Sequence, residues 1–214
     1  MLKLSDIQSR HHGTDREIIA DAVHPGDDYL VATDTYAWYR AIAESLAPQR
    51  ILEFGVRYGY SGIAMIQGAI GAGVTEIVYT GVDGEKDGVL SNDIAEANLT
   101  RYTPHVSIIH WDTTDIWGAY AEITKKSGGT RYDIVHVDGD HSVRGVSAEL
   151  TLAEMCLKPG GYLLVDDMDV SHIQKAVSSF YEKCTILTLP TMHRTAVVQP
   201  DAATYSTQRS VLPY

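Results

Sequence analysis

The sequence predicts an α/β protein: a doubly wound, mostly parallel sheet of seven strands with an antiparallel last strand. Three observations lead there. From Arg50 onward, short apolar runs alternate with segments of helical spacing, the pattern of a parallel sheet covered on both faces. The first run, Ile51-Leu52-Glu53-Phe54, breaks at Gly55 and Gly59 into an apolar helical pattern (Ile63, Ala64, Ile66, Ala69, Ile70). That is the strand, glycine turn and helix that open such a sheet. The last two runs, Thr185–Leu189 and Thr195–Val198, are close enough to form an antiparallel hairpin.

Residues 1–33 carry weak periodicity and several turn formers (Gly13, Pro25-Gly26-Asp27-Asp28), so they are expected to form an arm or lid. The segment 34–200 is expected to be the main domain and 201–214 a tail with little pattern. Asp34 is placed to cap a helix reaching Leu46, with Tyr36, Trp38, Tyr39, Ile42 and Leu46 on its apolar side, and Pro48 ends it. Beyond the first strand, Ile77–Val82 reads as a second and Val106–His110 as a third, with a helix over Val89–Tyr102 between them. A helix around Ile116–Lys126 is broken by Gly128-Gly129, and Tyr132–Val137 follows as the fourth strand. Next come a helix over Val143–Leu157, a turn at Pro159-Gly160-Gly161, a fifth strand at Tyr162–Val165 and a helix over Ile173–Tyr181.

Composition narrows the class. With 44% hydrophobic and 21% charged residues the chain is ordinary for a globular domain. A net charge of −11 without a basic run argues against a phosphate-backbone partner, so no nucleic acid is expected. Cys156 and Cys184 lie in apolar patterns and are expected as small core residues rather than a disulfide framework. No apolar run is long enough for a membrane span and Met1–Asp15 lacks a leader's shape, so the expectation is a cytoplasmic protein with no membrane partner. The polar ends are compatible with a homodimer.

The chemistry gathers where strands end: Gly55, Asp83, Asp138 and the pair Asp166-Asp167, with His110-Trp111-Asp112-Thr113 after the third strand. In a doubly wound sheet these ends converge on one crevice. Any one acidic loop residue is ordinarily just solvated, and their repetition at the same end of successive strands is what suggests a site. The first turn lacks the third glycine of a pyrophosphate loop. Asp83, ending the next strand, can accept hydrogen bonds from both hydroxyls of a ribose. A ligand with a ribose and no phosphate fits, namely S-adenosylmethionine.

The stretches L-E-F-G-V-R-Y-G-Y-S, D-I-V-H-V-D-G-D-H and L-K-P-G-G-Y-L-L-V-D-D resemble class I S-adenosylmethionine-dependent methyltransferases over residues 35–200. Among them the chain is most similar to metal-dependent O-methyltransferases of small molecules, including the catechol and macrolide-sugar types. The resemblance implies a Rossmann-like methyltransferase fold and places cofactor contacts at Glu53, Gly55, Ser61 and Asp83, with adenine near Asp112 and Thr113. It also implies that Asp138, Asp166 and Asp167 hold Mg²⁺ or another divalent cation, for which hard oxygen donors are suited. Consecutive strand residues face opposite ways, so Asp166 and Asp167 can share an ion only if the chain turns there.

His141, three residues after Asp138, stands where the catechol type has a lysine and the macrolide-sugar type a histidine. That implies a general base acting on a small-molecule hydroxyl acceptor. His136 lies inside a strand and is expected in the core, while His11, His12, His193 and Arg194 fall in segments able to cover the crevice. A rival reading keeps cofactor and metal binding on this scaffold but makes the protein a tailoring or assembly component without methyl transfer of its own.

Overall fold

The computed structural model describes residues 2–24, 34–84, 91–181, 184–191 and 193–200. Its elements, in chain order, are α1 (Leu4–Gln8), α2 (Asp15–Ile18), α3 (Thr35–Leu46), β1 (Arg50–Phe54), α4 (Tyr60–Gly71), β2 (Val78–Asp83), α5 (Ser91–Leu99), β3 (His105–His110), α6 (Ile116–Ser127), β4 (Tyr132–Val137), α7 (Val143–Cys156), β5 (Leu157–Val165), α8 (Ser171–Phe180), β6 (Thr185–Thr188) and β7 (Ala196–Gln199).

The seven strands form one sheet in the order β3-β2-β1-β4-β5-β7-β6. Strands β1 to β5 pair in parallel, and β7 inserts antiparallel between β5 and β6. The expected hairpin is there, with the last strand in the chain as its inner member. One apolar cluster packs α3, α4 and α5 on one face of the sheet, and a second packs α6, α7 and α8 on the other. The central strands are therefore buried on both sides and read as continuous apolar runs.

The first segment adds to the first cluster. Ile7 and Ile18 are almost fully buried against it, and Asp15, itself buried, accepts the amide of Ala37 in the first turn of α3. At the start of α3, Asp34 serves differently from a simple cap: its carboxylate accepts the indole N–H of Trp38. The turn expected at Pro159-Gly160-Gly161 lies inside β5. Leu157 pairs with Tyr132 and Tyr162 with Ile134, so the glycines bulge out between two paired stretches. Strand β5 thus starts at Leu157, where the expected helix was to end. Residues 89 and 90 of the expected helix over Val89–Tyr102, residues 25–33 of the arm and the tail lie outside the described residues. Both cysteines are free thiols, and no described helix is long and apolar enough to cross a membrane.

This strand order reverses direction between β1 and β4, and in open sheets ligands bind at such a switch point, outside the carboxyl ends of the strands. Backbone bonds continue the ladder past those ends. Gly55 donates to Val82, Asp138 to Phe54, Asp166 to Val137 and Trp111 to the carbonyl of Asp83, which sets the chemistry-bearing residues along one rim.

Candidate active site

Gly55 ends β1 at φ +83, and a Cβ there would lie 2.0 Å from the carbonyl oxygen of Asp138. The two strand ends flanking the switch point therefore touch, and only a glycine permits both the contact and the left-handed backbone. The loop that follows is anchored by Asp83, whose Oδ2 accepts the backbone amides of Val56 at 2.9 Å and Arg57 at 2.8 Å. Arg57 has φ 48 and Gly59, which precedes α4, has φ 79, so the turn is a tight one.

Beneath this turn lies a buried polar group. Glu53 is fully buried and accepts the hydroxyls of Ser61 and Tyr79 and, at 2.9 Å, the Nδ1–H of His136. Burial disfavours the His136 imidazolium, but the hydrogen bond and charge of Glu53, followed by Asp138 and Asp166, outweigh it and raise the histidine to about 9. His136 is thus a core residue, as its place within a strand implied, hydrogen-bonded to Glu53. Ser61 lies on the cavity wall with Glu53 behind it.

An open cavity of about 830 Å³ occupies the switch point. Gly55, Val56, Tyr60 and Ser61 form one side, Asp138, His141, Asp166 and Asp167 the floor, and residues of α2 and the start of α3 (Thr14–Arg16, Asp34–Tyr36) the opposite wall. The N-terminal segment therefore helps enclose the site.

On the floor, His141 stands between two carboxylates: Nε2 is 3.5 Å from Asp138 Oδ1 and Nδ1 is 3.1 Å from Asp167 Oδ2. Asp138, His141 and Asp167 each offer a ligand atom within 4.8 Å of the others, and Asp167, Asp169 and His193 form a second such group. The turn demanded by the consecutive aspartates is visible in the backbone, since Asp167 has φ 57. Aspartate tolerates that left-handed region better than most residues. Asp166 lines the same cavity, but its Oδ1 accepts the Thr195 hydroxyl at 2.8 Å, and Thr195 in turn meets Tyr39 at 3.1 Å.

Electrostatics follow the geometry. The hydrogen bond to Asp138 lifts His141, partial burial opposes this, and the charges of Asp167 and Asp138 carry it up to about 9. Asp138 is raised, first by desolvation, against the pull of His141 and His136. Asp167 is raised for the same leading reason. Three carboxylates crowd this floor, and the two that His141 faces favour its protonated form.

The loop after β3 takes a different part. Asp112 is exposed, and its Oδ1 accepts the amide and hydroxyl of Thr114, which lower its pKa. Thr113 is buried and donates at 3.0 Å to Oε1 of Glu149 on α7. Glu149 was not singled out from the sequence, although one signal was present: it sits three residues after Val146 and four before Ala153, on the helix stripe that faces the core.

Comparison with known proteins places the domain and its fold. A family described as "Methyltransferase domain" matches residues 52–168, more than half of the chain. Rhamnosyl O-methyltransferase of Mycobacterium bovis is 28% identical over 138 residues, covering 62% of this chain and 51% of that protein. The chain thus spans about half the length of this curated relative. An O-methyltransferase from Bacillus cereus solved in complex with SAH superposes at a TM-score of 0.61 with 16% identity, covering 93% of this chain and 92% of that one. A TDP-rhamnose 3'-O-methyltransferase from calicheamicin biosynthesis superposes at 0.58 with 12% identity, covering 75% and 76%. The sheet order, the glycine turn over Asp138 and the matched span together assign the chain to the methyltransferase-domain family.

Proposed function

We propose that the protein is an S-adenosylmethionine-dependent O-methyltransferase that acts on a hydroxyl of a sugar-type small molecule, with His141 as general base. The observation that carries this reading is His141 poised between Asp138 and Asp167 on the wall of the cavity that Gly55 and Ser61 also border. The rhamnosyl acceptors named for the Mycobacterium relative and for the calicheamicin enzyme supply the sugar.

Cofactor and metal are tested by the residues present. The glycine turn, anchored by Asp83, and Ser61 line the cavity and would hold the sulfonium donor. Asp138 and Asp167 converge closely enough to hold one divalent cation, with Asp166 beside them on the same wall. Such a cation would acidify an acceptor hydroxyl and offset the negative charge that keeps His141 protonated.

The chain's own work is to align, deprotonate and enclose. The sulfonium donor brings an activated methyl group. Alignment of donor and acceptor between the α4 turn and the α2–α3 wall can supply several kcal/mol of the barrier. His141, with one ring nitrogen released from its carboxylate, takes the hydroxyl proton, and the acceptor oxygen attacks the methyl carbon as the carbon–sulfur bond breaks, giving S-adenosylhomocysteine, the methyl ether and a protonated imidazole. Incubation with S-adenosylmethionine, Mg²⁺ and rhamnosides, with S-adenosylhomocysteine and the methyl ether measured together, tests the reading. Cofactor binding by calorimetry without product from any hydroxyl acceptor would support the non-catalytic rival instead.

A further inference from the structure

Glu149 occupies a position that core packing alone would give to an apolar residue. It is 1% exposed on the inner stripe of α7, beside Val146, Leu150 and Ala153. Its Oε1 accepts the hydroxyl of Thr113 at 3.0 Å and the backbone amide of Asp140 at 2.9 Å. The carboxylate thereby joins the loop after β3 to the loop after β4, which carries Asp138 and His141. Gly139 permits this: a Cβ at that residue would lie 2.3 Å from Glu149 Oε1. The other oxygen, Oε2, is buried without a hydrogen-bond partner. A water-sized cavity of about 10 Å³ borders Glu149 together with Asp138, Asp166 and Asp167. An unsatisfied buried oxygen is costly, and an apolar residue of the same size would avoid the cost.

The rest of the base loop is fixed in the same manner. Asp140 Oδ1 accepts the amide of Ser142, Ser142 Oγ accepts the amide of Gly145 at the start of α7, and the carbonyl of His141 accepts from Nε2 of His172 at 2.6 Å. Glu149 is the one member of this set that reaches from beneath to both loops.

We infer that Glu149 is the positioning residue of the active site, holding the Asp138–His141 loop at the height where His141 meets the acceptor hydroxyl. This rests on the assignment of His141 as base. Glu149 is not among the residues lining the main cavity; it acts through the amide of Asp140. Misplacing a catalytic group by about 1 Å can cost on the order of 10²-fold in rate. Burial also raises the Glu149 carboxyl to about 7, against the hydrogen bonds it accepts. Its accepting oxygen is what matters, and a glutamine supplies one.

The test compares Glu149→Leu with Glu149→Gln in the full chain, with Mg²⁺ present. The expected result is a loss of about 10²-fold in kcat for Glu149→Leu, with S-adenosylhomocysteine affinity within threefold of wild type and KM little changed. Glu149→Gln should recover most of the lost turnover. Thr113→Val, which removes one of the two bonds and little volume, should fall between them. Crystal structures of the metal-free wild type and Glu149→Leu should show residues 138–141 displaced in the variant, a readout independent of turnover. Unchanged kcat in Glu149→Leu, or a loop that stays in place, would overturn the inference. So would parallel loss of turnover, cofactor binding and melting temperature that glutamine does not repair, because that is the behaviour of a packing residue. If wild type methylates no acceptor, the assignment of function falls, and the loop displacement still decides whether Glu149 sets the loop's position.

Discussion

His141 Nδ1 lies 3.1 Å from Oδ2 of Asp167, a residue whose backbone adopts φ 57. The contact joins the loop after β4 to the turn after β5. It exists because Asp167 leaves the strand's alternation at that point and its carboxylate reaches the loop after the neighbouring strand β4. With Asp138 on the other ring nitrogen, the imidazole is oriented at both ends while 57% of the side chain still meets solvent. With both nitrogens facing carboxylates the ring has no free lone pair, so work as a base requires one carboxylate to turn away, as it would on binding a cation.

Replacing His141 by alanine should cost about 10²- to 10⁴-fold in kcat, the usual worth of general-base help. The donor's glycine turn is untouched, so S-adenosylhomocysteine affinity measured by calorimetry should stay within threefold. Equal losses in turnover and cofactor binding would place His141 in the donor site instead.

Asp167→Asn separates charge from backbone. Asparagine tolerates the left-handed conformation, so the melting temperature should hold. The lost carboxylate should weaken Mg²⁺ activation by about 10-fold or more, a scale that even supporting groups reach at metal sites. In the wild type, excess chelator should abolish methyl transfer and added Mg²⁺ should restore it. Full activity in chelator would remove the cation from the scheme and leave His141 with its two carboxylates as the whole apparatus.

Gly55→Ala probes the close approach at the switch point. The added methyl meets the Asp138 carbonyl at 2.0 Å, and the backbone there is left-handed. Steric overlap and the unfavourable φ should together cost about 2–4 kcal/mol. For a chain of this size that is a fall of roughly 5–15 °C in melting temperature. Cofactor affinity should drop as well, because the loop and the Asp138 strand end cannot both keep their places.

How much of this was legible depended on periodicity. The strand and helix alternation was readable because apolar spacing changes sharply at Gly55, Gly128 and the strand-ending aspartates, and the observed elements follow it closely. Asp138 and Asp167 could be suspected from their place at strand ends, but a period of two sets Asp166 and Asp167 on opposite faces. Only the local φ at Asp167 brings its carboxylate onto His141. Glu53 and His136 sit in strands buried on both faces, where no alternation marks a polar partner across the sheet. Thr113, expected near adenine, faces Glu149 because its hydroxyl has a buried acceptor that lies far along the chain.

The Glu53–His136 pair makes a prediction about pH. In the folded chain His136 is raised from 6.5 to about 9, burial opposing and Glu53 first among the groups that favour its charge. A group whose folded value lies above its unfolded value stabilises fully below the unfolded one and loses that contribution as pH rises through the folded one. The protein should therefore lose stability progressively between about pH 6.5 and pH 9, on the order of 1–3 kcal/mol from this residue. Thermal melts across that window should show the decline, and His136→Gln should reduce its slope, leaving the share that His141 contributes, while lowering stability at pH 6.5. A wild-type melting temperature that holds steady from pH 6.5 to 9, with the variant showing the same profile, would mean that the buried imidazole is neutral and donates its Nδ1–H to Glu53 as an uncharged partner beside Ser61 and Tyr79.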